Sequence, residues 1–268
     1  MAESEPMPQA DQRLESLLPA GPPVTPAGFV EQIGMWERPS SPPPRPRVML
    51  NMLATADGRA TLGGRSGTIS SPADRALFHA LRTPVDGVLV GAGTVRTERY
   101  GPLIPDEPRR RLRESRGLPG EPLACIVSGR MLLGEEVPLL MAPGARVVVL
   151  TASAASLPAG EAHVDYIRSD GPQLDLRAAL ATLTERFGVT SLLCEGGPHL
   201  ARQLLGAGLL DELFLSVAPL LAGGEPSGGE ALRILAGPEL ETPARLELLG
   251  VLDAESMLFL RYRVCAEP

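Results

Sequence analysis

Asp86-Gly87-Val88-Leu89-Val90-Gly91-Ala92-Gly93-Thr94-Val95-Arg96 is the stretch on which the fold turns. Asp86–Gly91 is a short apolar run, the pattern of a buried strand. Glycines 91 and 93 then punctuate it, and a short helix is expected to follow. Working outward, the same alternation recurs. Val48–Ala54 is an apolar run of strand length, and Ser71-Pro72-Ala73-Asp74 is a helix start with Ser as cap, Pro in the first turn and an acid behind it. That helix should run to about Arg82, with Ala76, Leu77 and Ala80 on one face, and Thr83-Pro84 should stop it. Leu123–Val127 and Arg146–Leu150 read as further strands, Leu174–Phe187 as a helix, Thr190–Cys194 as a strand and Pro198–Leu205 as a helix. Leu213–Val217 follows, and then a hairpin of Arg245–Leu252 and Ser256–Val264 turning near Asp253-Ala254-Glu255. The fold class expected is α/β: three αβα layers, a mostly parallel mixed sheet and a C-terminal antiparallel hairpin.

The remainder of the chain is read as accessory. Eleven of the 28 prolines lie in residues 1–46, among short apolar pieces at Leu14–Leu18 and Phe29–Trp36. Residues 1–46 are therefore expected to be an extension that docks in places and ends in a stiff linker, Pro42–Pro46, with the main domain spanning 47–268. The arginine-rich segment Arg109–Arg116 reads as a mobile, solvated loop.

Composition narrows the function. The chain has 268 residues, 44% hydrophobic and 21% charged, as in a globular protein. A net charge of −7 argues against a nucleic-acid partner. The longest apolar candidate, Leu204 to Ala222, is interrupted by Asp211 and Glu212, so no membrane span is expected. All 25 basic residues are arginines, which excludes a GxxxxGK[ST] phosphate loop and a Schiff-base lysine. Cys125, Cys194 and Cys265 are far apart and no metal-ligand spacing exists among His79, His163 and His199, so no metal site is expected. The acidic start MAESEPMPQADQ has no apolar stretch of the kind a signal peptide carries, so no signal peptide and a cytoplasmic location are expected.

Three strand ends carry the candidate chemistry, where open α/β sheets bind ligands. After the strand at 86–91, Gly91, Gly93 and Thr94 form a glycine-rich turn into a helix, a place where backbone N–H groups can meet a phosphate. Arg96 stands where a dinucleotide fingerprint has its third glycine. The alternative is a tight turn that binds nothing. Cys194-Glu195-Gly196-Gly197-Pro198-His199-Leu200 repeats the arrangement, and the two turns together could cradle a pyrophosphate. Glu195 would face the same cleft; alternatively it is a helix-start charge. Asn51 to Arg59, followed by Ser66-Gly67-Thr68, offers Asp57 at a strand end, suited to bind a polar ring or assist protonation; an Asp-Gly turn is the plain alternative.

The DGR–SGT stretch beginning at Asp57, the segment VGAGTVRTERYGP from Val90 and CEGGPHLARQLLGAGLLDEL from Cys194 together resemble the reductase domain of riboflavin biosynthesis proteins, from about Arg47 to Val264. The resemblance implies a dihydrofolate-reductase-like fold, NADPH as cofactor, and reduction of a phosphoribosylamino-pyrimidine to its ribityl form by hydride delivery to C1′. It implies Leu53, Thr68, Gly93, Thr94, Glu98 and the turn Gly196, Gly197, Pro198, His199, Leu200 as cofactor contacts. Asn51, Ser66, Arg82, Leu103 and Glu195 would be substrate contacts, with the fork of Arg82 suited to a phosphate. Asp57 and Glu195 would stand nearest the chemistry. It further implies a homodimer. Two departures are visible: many members carry a lysine where this chain has Asn51, and no HxE…PCxxC deaminase signature is present, so a stand-alone reductase is expected. A dihydrofolate-type pteridine reductase and a non-catalytic NADPH-binding protein are the competing readings.

Overall fold

The computed structural model describes residues 12–223 and 232–265; the acidic start at 1–11 lies outside them. In chain order the elements are β1 (Leu14–Leu18), β2 (Ala20–Val24), α1 (Pro26–Gln32), β3 (Arg47–Thr55), α2 (Pro72–Arg82), β4 (Gly87–Gly91), α3 (Ala92–Thr97), α4 (Glu107–Ser115), β5 (Leu123–Val127), β6 (Arg146–Thr151), β7 (His163–Arg168), α5 (Leu176–Phe187), β8 (Ser191–Cys194), α6 (Pro198–Gly206), β9 (Glu212–Ala218), β10 (Leu246–Ala254) and β11 (Met257–Val264). Among the described residues the strands form one sheet in the order β2-β1-β10-β11-β9-β3-β8-β4-β5-β6-β7. From β9 through β7 the neighbours are parallel; from β2 to β9 they are antiparallel.

Strand periodicity sorts side chains into two cores, one on each face. Val88 and Val90 of β4 and Leu193 of β8 enter the core covered by α1 and α2, with Phe29, Val30, Leu77 and Leu81. Leu89, Leu192 and Cys194 point the other way, toward Leu180 and Leu183 of α5 and Leu200 and Leu204 of α6. Burial raises both the Cys125 thiol and the Cys194 thiol, the latter to about 12, so they pack as small apolar groups. The expected α/β architecture is therefore present, including the hairpin, whose turn residues Glu255 and Ser256 both have positive φ, as a tight hairpin of right-twisted strands requires.

Two expectations change. Arg109–Arg116 is not a mobile loop but most of α4. Asp106 caps it by accepting from the Arg109 N–H, and Pro108 sits in its first turn. It is anchored by Arg113, fully buried, which donates to the carbonyls of Thr83, Val85 and Pro119. Burial lowers the Arg113 pKa to about 10, leaving it charged at neutral pH and bound by carbonyl dipoles. The N-terminal segment also does more than dock. β1 pairs with β10 and β2 with β1, Leu14 is fully buried, and α1 joins the core beside α2.

Candidate active site

The sheet order places β8 between β3 and β4, and the register sets Cys194 beside both Leu50 and Leu89. β4 ends two residues past this level, at Gly91, and β3 runs on to Thr55, so the turns after β4 and β8 stand beside the C-terminal half of β3. The Glu195 N–H donates to the Leu89 carbonyl at 2.9 Å and the Gly91 N–H to the Gly196 carbonyl at 2.8 Å, which welds the two glycine turns together. Gly196 has φ +84°, and the Gly196–Gly197 peptide is cis. A Cβ on Gly197 would lie 2.7 Å from Thr94 Oγ1, and one on Gly91 3.3 Å from the Gly197 nitrogen, so a side chain at either position would crowd this approach. Neither α3 nor α6 has a side chain capping its first turn.

These turns open onto a cavity of about 690 Å³, a size that suits a small-molecule or cofactor site. Its wall includes Asn51, Leu53, Ser66, Arg82, Gly93, Thr94, Glu98, Glu195, Gly197, Pro198, His199 and Leu200. Ser66 is held through Glu98, whose Oε1 accepts from both the Ser66 N–H and hydroxyl at 3.0 Å.

One buried charge pair dominates. Arg82 Nε donates to Glu195 Oε1 at 2.6 Å and Nη2 to Oε2 at 2.7 Å, while Nη1 donates to the Leu103 carbonyl at 3.0 Å. The guanidinium lies 4.1 Å from the Phe78 ring centre and 5.4 Å from that of Tyr100. The Tyr100 hydroxyl donates to Glu195 Oε2 at 2.7 Å. Burial opposes the charge on Arg82, but the facing carboxylate outweighs it and holds the pKa above the usual arginine value. Burial and the Glu195 charge push the Tyr100 phenol well above its ordinary range, so it remains a donor. Burial, with Arg82 adding to it, lowers neighbouring His79 to about 4, which leaves that ring neutral.

Four expected contacts fall elsewhere. Asp57 is absent from the wall. It accepts from the Thr55 hydroxyl at 2.5 Å and from the N–H groups of Ala222 and Gly223 at 3.1 and 2.7 Å, tying the turn after β3 to the segment after β9. The Thr55 hydroxyl, followed by the Gly223 N–H, lowers its pKa to about 2. Thr68 is exposed and its hydroxyl serves the Leu62 and Arg65 carbonyls. Leu103 is buried behind the wall and contributes a carbonyl to Arg82; Gly196 contributes its carbonyl to Gly91. The fork of Arg82 is taken by Glu195, so it is not the free phosphate clamp expected. Sequence reading gave no role to Met52, Phe78 or Tyr100, all on the wall. Phe78 was legible, since it stands one helical turn before Arg82.

Residues 46–252 match the family model described as RibD C-terminal domain. A 2,5-diamino-6-ribosylamino-4(3H)-pyrimidinone 5′-phosphate reductase from Methanothermobacter thermautotrophicus is 29% identical over 239 residues, covering 82% of this chain and 99% of that protein. Riboflavin biosynthesis protein RibD of Mycobacterium tuberculosis is 35% identical over 182 residues, 67% of this chain and 44% of that protein. Among solved structures, a pyrimidine reductase-like protein from Corynebacterium diphtheriae aligns with a TM-score of 0.68 at 24% identity, over 91% of this chain and 100% of that one, a likeness of fold.

Proposed function

Because the chain belongs to the RibD C-terminal domain family, we propose that it is an NADPH-dependent reductase of riboflavin biosynthesis, converting the ribosyl group of a phosphorylated 5-amino-6-ribosylaminopyrimidine to ribityl. The observation that carries this reading is the direct contact between the two glycine turns at the ends of neighbouring parallel strands. The residues fit a dinucleotide. A side chain at Gly91 or Gly197 would crowd the junction of the two turns, and the uncapped start of α6 offers N–H groups and a positive dipole to a diphosphate. Thr94, Gly197, Pro198, His199 and Leu200 would hold it, with Leu53 along the cavity floor. For a 2′-phosphate, Arg99 is the favoured contact, because it lies on the wall whereas Arg96 donates to the Leu132 carbonyl.

When bound, the nicotinamide supplies a hydride. The chain supplies position and field. Reducing a ribosylamine breaks C1′–O4′, adds hydride at C1′ and places one proton, taken from solvent, on O4′. Positive charge builds along C1′–N as the bond opens. Glu195, fixed by Arg82 and buried from water, provides the compensating negative charge on the wall. Asn51, on β3 facing the same cavity, is suited to bond the pyrimidine edge without adding charge. The named activity of the relative matched over 99% of its length favours the 2,5-diamino substrate. We also propose a homodimer formed through the outer face of β10 and β11.

Purified protein should oxidise NADPH, followed at 340 nm, with the phosphorylated 2,5-diamino compound. Turnover of dihydrofolate instead would shift the assignment to a pteridine reductase, and inertness toward all three substrates, including the deaminated pyrimidine, would leave only a binding protein.

A further inference from the structure

Tyr100 enters neither glycine turn and touches no residue expected from sequence except the Glu195–Arg82 pair. Its mount is unusual. Arg99, a non-glycine residue, has φ +51°, and this left-handed step turns the chain into the cavity wall. The backbone of Tyr100 is then fixed on both sides: its N–H donates to the Val95 carbonyl at 3.0 Å and its carbonyl accepts from the Leu139 N–H at 2.8 Å. The left-handed step at Arg99 and the two backbone bonds of Tyr100 together aim one hydroxyl at one buried carboxylate.

A count of lone pairs says what the contact does. A carboxylate has about four acceptor sites, two on each oxygen. Glu195 Oε2 accepts from Arg82 Nη2 and from the Tyr100 hydroxyl and is filled. Oε1 accepts from Arg82 Nε and keeps one site open. The side chain of Glu195 is 2% exposed, so it cannot swing out to find other partners. We propose that Tyr100 is a positioning residue: by occupying Oε2 it leaves Oε1 as the one acceptor that Glu195 offers to the substrate, fixing where the counter-charge stands. The hydroxyl acts through Glu195 and does not touch the reacting atoms. This rests on the reductase reading given above.

The test is Tyr100→Phe, which keeps the ring over Arg82 and removes only the hydroxyl. Steady-state kinetics with the phosphorylated 2,5-diamino pyrimidine should show kcat reduced roughly tenfold with the KM for NADPH within about twofold, on the scale of one lost hydrogen bond to a charged group. A second measurement, calorimetric binding of the pyrimidine to the NADP⁺ complex, closes a cycle with Glu195→Gln. Tyr100→Phe should weaken binding about fivefold in the wild-type background and less than twofold in E195Q. Equal losses in both backgrounds, an unchanged kcat, or a loss confined to NADPH affinity would overturn the assignment. A wild type inert toward every substrate overturns the reductase reading and this inference with it, whereas an active wild type without coupling overturns the inference alone.

Discussion

At the scale of single residues, chemistry at this site is decided by which acidic groups reach the cavity wall. Asp57 and Glu195 both follow sheet strands and both look available in the sequence. In the fold, Asp57 is spent on a hydroxyl and two backbone N–H groups of a turn, while Glu195 lines the cavity. Because the folded pKa of Asp57 is depressed to about 2 from 3.8, its contribution to stability is present above the unfolded value and fades as pH falls from about 4 to about 2. Asp57→Asn should therefore lower the thermal midpoint at pH 7, by an amount that shrinks as the pH is taken from 5 toward 2.5, while kcat stays within a few-fold of wild type. A midpoint difference independent of pH, or a kcat loss as large as that of Glu195→Gln, would mean that Asp57 serves the chemistry after all. The sequence alone could not separate the two carboxylates, since the partners of Asp57 at 222 and 223 are 165 and 166 positions away.

At the scale of elements, periodicity was a sound guide wherever a helix or strand buries an apolar face. β5 and α2 begin and end where their apolar run and caps indicate, and β4 starts one residue later than expected, at Gly87. α4 was missed because its anchor is a buried arginine, Arg113, which a pattern of apolar positions cannot reveal; its cap, Asp106, and Pro108 were the available signals. β1 and β2 were missed as sheet members because β1 pairs with β10, distant in sequence, and because prolines 19, 22 and 23 disfavour a strand, except at an edge such as β2, paired with β1 alone, occupies. The same end of the sheet bears the proposed dimer surface. Cross-strand register sets Leu18, Leu246, Leu248, Val251, Leu258 and Leu260 on one face, and Leu18, Leu246, Leu248 and Leu258 are each at least 37% exposed. Light scattering should give twice the chain mass for wild type and the chain mass for a Leu248→Arg, Leu258→Arg variant that remains folded. A monomeric wild type would contradict the assignment.

At the scale of the whole molecule, the site exists because a topological fact brings distant sequence together. β8 inserts between β3 and β4, so turns about a hundred residues apart meet within hydrogen-bond distance. Each turn was legible as a strand running into glycines and a helix, and their pairing was inferred from that repetition. The part of the wall built from Phe78, Arg82 and Tyr100 was only partly legible, because the Arg82–Glu195 pairing spans 113 positions. Among the described residues no helix is long and apolar enough to cross a membrane and no cluster of metal-ligating side chains occurs. The central claim is that the joined turns grip the diphosphate of a dinucleotide. A crystal structure with NADP⁺ tests it most directly: the diphosphate should lie against the backbone of Gly93–Thr94 and Gly197–Leu200, with the nicotinamide toward Leu53 and Glu195. Density for the diphosphate anywhere else on the molecule, with both turns left bare, would contradict it.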